Sequence, residues 1–200
     1  MLLIISMLTL KEGTIAVALA RKSISSYLES GKLPSPPKLS SKFSEKLGVF
    51  VTLKTISGDL RGCIGFPEPW CSLAQGIIEA AAAAAFEDPR FPPVSESELD
   101  DLTIEVSVLT TPQEIPGKPE DRIKKIKIGR DGLILRSESG SGLLLPQVPV
   151  EENWSIEEYL AGICMKAGVQ EDAWKDPNAK LFTFQAQVFS EANPNKNPAI

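Results

Sequence analysis

An arginine and a cysteine stand two residues apart in the hexapeptide Leu60–Gly65, whose sequence is LRGCIG. Successive side chains of a β-strand point to opposite faces, so Arg61 and Cys63 should leave the same face. The glycines Gly62 and Gly65 allow other backbone, or a ligand, to come close to this strand. An arginine can bind an anion, and it can also stabilise the reactive thiolate form of a neighbouring cysteine. The spacing therefore predicts a site on this strand without naming a reaction.

The chain contains no histidine. Within one chain, this excludes Ser-His-Asp triads, Cys-His dyads and metal sites that need histidine ligands. General acid–base chemistry would then fall to carboxylates, a perturbed lysine, a cysteine or a tyrosine. Two interpretations of Cys63 stay open: a small packing residue, or a catalytic nucleophile whose proton needs an acceptor other than histidine.

A second group of candidates follows the helix predicted to end near Phe86. Asp88 would lie at the unfavourable end of the helix dipole, so it should have a partner. We expect it to cap backbone amides in a turn, and a binding or catalytic role is the alternative. Arg90, between Pro89 and Phe91, is a candidate binding residue.

Glu105 and Gln147 complete the candidate set. Glu105 lies on the polar side of an alternating strand, where it could orient the Arg61 guanidinium or act as a catalytic base. A solvated sheet face is the alternative for Glu105. Gln147 carries an amide suited to hydrogen-bonding a ligand or backbone. For Arg61, an ion pair with Glu105, Asp88 or Asp131 and a contact to a ligand anion are equally open.

Composition and charge exclude several classes of function. The 200 residues carry 21 basic and 26 acidic side chains, a net charge of −5, which argues against nucleic-acid binding. The apolar Met1–Leu8 is too short to span a bilayer and lacks a basic start, so it predicts a first strand or an upstream start and no membrane association. Three cysteines without metal-type or redox-type spacing predict reduced thiols and no cofactor. We therefore expect a soluble, cytoplasmic protein.

Periodicity and turn signals predict an α+β fold with a mainly antiparallel sheet flanked by helices. Tight turns between early strands and proline-containing loops later do not fit a regular parallel sheet. We predict one domain over residues 1–200, with a larger lobe of 9–110 and 150–190, a smaller lobe of 111–149 and a polar tail of 191–200. The main predicted helices and strands are 9–30, 48–56, 60–66, 72–86, 102–110, 155–167 and 181–189.

The hexapeptide and its surroundings resemble the AMMECR-type domain family, whose human founder is named after a deletion region linking Alport syndrome, midface hypoplasia and elliptocytosis. The likeness is to an archaeal or bacterial member and covers most of residues 9–190. It rests on ordered matches along the chain. Those matches are Leu60–Gly65, Phe86–Pro93, Leu99, Ile104–Leu109, Gly129–Leu133, Gly142–Val148, Glu152, Trp154 and Lys166–Gly168.

The resemblance implies a larger and a smaller α+β lobe with the hexapeptide facing a cleft between them. It implies no established activity, so whether the chain is an enzyme stays open. Similar prokaryotic domains are encoded beside, or fused to, Memo-like domains and radical-SAM proteins. Two functions follow as hypotheses: a cleft that binds a small molecule or performs chemistry on it, or an adaptor that binds a Memo-like or radical-SAM partner through the same surface.

Overall fold

The computed structural model describes residues 8–191, so Met1–Met7 and nearly all of the predicted polar tail lie outside the described residues. The chain has the predicted α+β architecture, with two four-stranded sheets and flanking helices. In the described part, no helix is both long and apolar enough to cross a bilayer.

The elements fall into two compact units. The first unit contains the described residues up to Leu109 and those from Gln187 onward, and the second unit is Thr110–Ala186. The strands are β1 (Gly48–Thr55), β2 (Leu60–Phe66), β3 (Leu102–Leu109), β4 (Gln113–Glu114), β5 (Gly132–Arg136), β6 (Ser141–Leu144), β7 (Lys180–Phe184) and β8 (Ala186–Ser190). The α-helices are α1 (Leu10–Ser30), α2 (Leu73–Phe86), α3 (Glu96–Leu99), α4 (Pro119–Ile123), α5 (Val148–Glu151) and α6 (Ile156–Lys166).

The sequence predicts that α1 begins with a capping box of Thr9 and Glu12 and ends at Gly31, and the structure has both boundaries there. The Thr9 hydroxyl accepts a hydrogen bond from the Glu12 N–H, and the Glu12 carboxylate accepts one from the Thr9 N–H at 2.9 Å. These two bonds satisfy amides that the first helical turn leaves without partners. Gly31 ends the helix in the left-handed conformation, with φ of 67°.

Helix α2 is buried nearly all round, as its alanine-rich sequence predicts. Ser72 caps its start, and Gln75, Glu79 and Phe86 are the helix residues outside its buried set. The helix packs against α1, β1 and β2, and its apolar side chains join the core of the first unit. It thereby supports the strand that carries the hexapeptide.

The first sheet has the strand order β2-β1-β3-β8. The short turn between segments 48–56 and 60–66 predicts an antiparallel hairpin, and apolar residues on both faces of 48–56 predict a central strand. Strand β1 pairs antiparallel with both β2 and β3, which confirms both predictions. Strand β2 is therefore an edge strand, and the outer backbone groups of LRGCIG have no neighbouring strand in this sheet. The groups that form hydrogen bonds with these outer N–H and C=O groups determine the geometry of the site.

The second unit differs from expectation at its C-terminal end. Residues 181–189 were predicted as one strand, but β7 belongs to the second sheet and β8 to the first. The two strands are separated by Gln185, whose N–H and C=O bond Thr110. The alternation of apolar and polar residues continues without a break through Gln185. The sequence pattern therefore does not show that the chain passes from one sheet to the other at this residue.

Helix α6 packs on the second sheet. Tyr159 and Leu160 are buried together with Leu133 and Leu135 in the core of this unit. Residues 150–186, placed in the larger lobe on sequence grounds, are therefore grouped with 110–149. The predicted cleft between the lobes stays a prediction.

Candidate functional site

The strand that carries the motif contains an irregularity at Arg61. Cys63 pairs with Thr52 and Leu60 pairs with Lys54, and the register shifts between these two pairs. An extra residue of this kind is a β-bulge, which redirects side chains. It turns Leu60 to the face of Lys54, where Leu60 is 41% exposed. Strand alternation in the hexapeptide predicts that Leu60 and Ile64 point into the core, and for Leu60 the bulge makes this prediction wrong.

Arg61 forms a two-pronged ion pair with Glu98 at the end of α3. Its Nε and Nη2 donate to the two carboxylate oxygens, the second at 3.1 Å. This contact holds the pKa of Glu98 below its usual range, because the guanidinium stabilises the charged form. The Arg61 side chain is 11% exposed, and its Nη1 is buried without a hydrogen-bond partner among the described residues.

Glu98 is a residue that sequence reasoning did not assign to the site. The three carboxylates considered for Arg61 were Glu105, Asp88 and Asp131, and that expectation is wrong. Ser95 and Glu98 form a capping box. This local role already explains a glutamate at position 98, so the sequence gives no sign that Glu98 also binds Arg61. One carboxylate serves both purposes, since Glu98 Oε2 accepts from the Ser95 N–H and from Arg61.

Asp88 and Arg90 together close the outer edge of β2 at Cys63. The Cys63 N–H donates to Asp88 Oδ2 at 2.9 Å, and Arg90 Nη2 donates to the Cys63 carbonyl at 3.3 Å. Arg90 also donates from Nε and Nη2 to the two Asp88 oxygens at 2.9 and 2.7 Å. We call this arrangement the Asp88–Arg90 clasp. It satisfies the backbone groups that a neighbouring strand would otherwise bond.

The clasp is charged and its carboxylate is buried. The Asp88 side chain is 2% exposed, whereas that of Arg90 is 50% exposed. Hydrogen bonds from Arg90 hold the pKa of Asp88 well below its usual range, and the Cys63 N–H acts in the same direction against the cost of burial. Asp88 thus caps backbone amides, including its turn partner Arg90.

Phe91 lies against both arginines of the site. The Cζ atoms of Arg61 and Arg90 are 5.8 and 5.4 Å from its ring centroid, within the range of cation–π contacts. Sequence reasoning used Phe91 only as a neighbour of Arg90. The structure therefore brings two guanidiniums and one aromatic ring to the edge of the LRGCIG strand.

The Cys63 thiol lies on the sheet face, beside a residue that was not predicted as part of the site. Its Sγ is 3.2 Å from the Thr52 hydroxyl oxygen on β1, and the Cys63 side chain is partly exposed. Glu105 is the partner of Thr52 on β3, so it lies one strand further from the cysteine, about 10 Å across the sheet. Its carboxylate pairs with Lys54 at 2.9 Å and not with Arg61.

The two motif glycines accommodate the protein's own chain. A Cβ on Gly62 would lie 2.2 Å from the Ala84 carbonyl oxygen of α2. One on Gly65 would lie 2.3 Å from the Val49 carbonyl oxygen. In both cases backbone already occupies the space that the missing side chain leaves.

The remaining candidates lie apart from this cluster. Gln147 belongs to the second unit, where it precedes α5 and its carbonyl accepts from the N–H groups of Val150 and Glu151. Cys71 is partly exposed and Cys164 is buried, and burial raises the pKa of both thiols. Among the described residues, no group of three or more acidic or cysteine side chains could hold a metal ion.

The fold and the site together define an α+β protein whose LRGCIG edge strand is closed by the Asp88–Arg90 clasp. Residues 17–189 match the family model described as AMMECR1, so the chain belongs to the AMMECR1 family. This confirms the resemblance inferred from the motifs.

The relatives extend over almost the whole chain. It is 52% identical over 187 residues to a protein of Thermococcus gammatolerans, with 91% of each chain covered. It is 50% identical over 192 residues to Protein MJ0810 of Methanocaldococcus jannaschii, with 94% of each covered. The crystal structure of uncharacterized protein PH0010 from Pyrococcus horikoshii matches with a TM-score of 0.87 at 49% identity, covering 94% of this chain and 93% of that one.

Proposed function

We propose that the protein binds a small molecule carrying a carbonyl or carboxylate oxygen at the edge of the LRGCIG strand. The observation that supports this most directly is Arg61 Nη1, a buried donor without a partner in the described part of the chain. Leaving a buried donor of a charged group unsatisfied costs free energy, which an acceptor on a ligand would recover.

The charge balance of the cluster favours a neutral or singly charged ligand. Arg61 is already paired with Glu98, and Arg90 with Asp88. A polyphosphate needs excess positive charge, and two neutral pairs do not supply it. The ring of Phe91 adds a flat apolar surface on which the body of a small ligand can lie.

We propose binding in preference to catalysis because the expected acid–base pair is not in contact. Glu105 is engaged by Lys54, and the described group that contacts the Cys63 thiol is the Thr52 hydroxyl. A hydroxyl at this distance can orient the thiol, but it is a poor acceptor for its proton at neutral pH. Catalysis by Cys63 and Glu105 stays a proposal that is secondary to ligand binding.

A titration followed by NMR tests the binding proposal. Pyruvate, which offers both a carbonyl and a carboxylate, should shift the Cys63 amide and Arg61 Nε resonances, whereas diphosphate should not. Arg61→Lys keeps the charge but loses the fork, so the affinity for pyruvate should fall at least tenfold. The matched control is Arg130→Lys, which alters another arginine paired with a buried aspartate, in the second unit. Equal affinity in the two variants, or no shift in the wild type, would contradict the proposal.

An adaptor role is the second candidate, and the β1–β2 hairpin supports it. Ile56 is 77% exposed and Leu60 is 41% exposed. Ile56 lies in the turn that follows β1, and Leu60 is the partner of Lys54 at the start of β2. Exposed aliphatic side chains on a rigid hairpin are suited to burial against a protein partner. We propose a Memo-like or radical-SAM protein as that partner.

Co-purification with the Memo-like protein of the same genome tests the adaptor role. Ile56→Asp and Leu60→Asp should each reduce recovery of the partner at least tenfold, because a charge would be buried at the contact. Leu33→Asp is the control, since Leu33 is also exposed, at 39%, but lies outside the hairpin. Undiminished recovery with both hairpin variants would exclude this surface as the interface.

A further inference from the structure

A groove runs between α1 and β8, at the opposite edge of the first sheet from β2. Its volume is about 460 Å³, which lies within the range of small-molecule sites in proteins. Residues of both elements line this α1–β8 groove. They include Gly13, Val17, Ala18, Arg21, Lys22 and Phe189.

The floor of the groove is apolar and rigid. Phe189 and Val17 are 2% and 5% exposed, so their positions are fixed by the core beneath them. A Cβ on Gly13 would lie 1.9 Å from the Phe189 ring, which shows how closely the ring packs on the helix. A floor of this kind offers dispersion contacts but no hydrogen bonds, so it suits an aliphatic chain.

The charged side chains that line the groove are Arg21 and Lys22 on α1 and Glu191 just after β8, and the hydroxyl groups of Thr14 and Ser190 line it as well. The charge of Arg21 is already paired, since the guanidinium donates to both oxygens of Glu191 and to the carbonyls of Leu99 and Leu102. The next residue, Lys22, has no carboxylate partner among the described residues. The lining charge that remains available is therefore a single ammonium group.

We infer that the α1–β8 groove binds an amphipathic monoanion, an aliphatic chain with one carboxylate head. The chain lies along Val17, Ala18 and Phe189, and the carboxylate faces Lys22. Charge complementarity selects this occupant, since an apolar floor with one unpaired cation matches an apolar tail with one anion. The inference is independent of the site at Arg61 and goes beyond the proposed function.

Isothermal titration calorimetry of the full chain with octanoate and decanoate tests the inference. Each added methylene that is buried should tighten binding about fourfold. Ala18→Trp fills the groove from an exposed helix position and should weaken decanoate binding at least tenfold. Lys22→Glu should weaken it by a similar factor, and decanol should bind less tightly than decanoate.

Lys11→Glu is the control, because it makes the same charge change on α1 outside the lining residues and should leave the affinity unchanged. Circular dichroism confirms that each variant is folded. Absent binding of decanoate, or equal binding by wild type and Ala18→Trp, would overturn the inference. A dimer that Ala18→Trp dissociates, without decanoate binding, would also overturn it by assigning the groove to a second copy of the chain.

Discussion

Replacing Gly62 by alanine is expected to lower the free energy of unfolding by about 3 kcal/mol or more. The added methyl group would lie 2.2 Å from the Ala84 carbonyl oxygen. Backbone of a buried helix cannot move aside cheaply, so β2 and α2 must separate. Removing a glycine from the unfolded chain recovers only about 0.4–1 kcal/mol. Urea denaturation of the two proteins measures the difference.

Gly76→Ala is the matched control at the same interface of helix and sheet. Its new methyl group would meet Val49 Cγ1 at 3.0 Å, the tip of a side chain that can shift slightly. Alanine also favours a helix over glycine by about 1 kcal/mol. We expect this variant to remain within about 1 kcal/mol of the wild type. Equal destabilisation by the two changes would show that close backbone packing is not the reason for glycine at position 62.

Replacing Asp88 by alanine is the second large expected effect, a loss of about 3 kcal/mol of stability. The change leaves the Cys63 N–H without its acceptor and removes the counter-ion of Arg90. Because the carboxylate is almost fully buried, water does not replace it readily. The urea midpoint measures the loss, and Asp121→Ala is the control, since Asp121 forms an exposed ion pair with Lys124.

The stabilisation by the Asp88 carboxylate should also appear in the dependence of the free energy of unfolding on pH. The pKa of Asp88 in the folded protein lies below its ordinary value of about 3.9, so the carboxylate adds stability above pH 4 and loses it as the pH falls toward the folded value. The stability gap between wild type and Asp88→Asn should therefore be constant from about pH 5 to 8 and narrow from pH 4 downward. A gap that stays constant to pH 2.5 would contradict the assignment.

Local signals in the sequence predict the helices well. The capping residues Thr9, Ser72 and Ser155 each precede a helix, and each side chain accepts the expected amide hydrogen bond. The hairpin and the central position of β1 follow from alternation and a short turn. These features depend on neighbours in sequence, which is why the sequence is sufficient for them.

The details of the site depend on contacts that are distant in sequence. The bulge at Arg61 adds one unpaired residue, and nothing in the composition of the hexapeptide marks it. The bond from Arg61 to Glu98 joins residues far apart in the chain, and a local cap concealed it. Asp88, by contrast, was expected to have a partner because it follows a helix C-terminus, and the amide of Cys63 is one of its partners.

The order of the strands along the chain has a consequence for biosynthesis. Strands β3 and β8 are neighbours in the first sheet, yet residues 110–185, nearly all of the second unit, are translated between them. Nearly all of the second unit is therefore synthesised before the last strand of the first sheet exists. Until β8 arrives, the outer edge of β3 is unpaired and able to associate with other chains. We expect a nascent chain ending near Phe184 to be the form of this protein that most needs a chaperone.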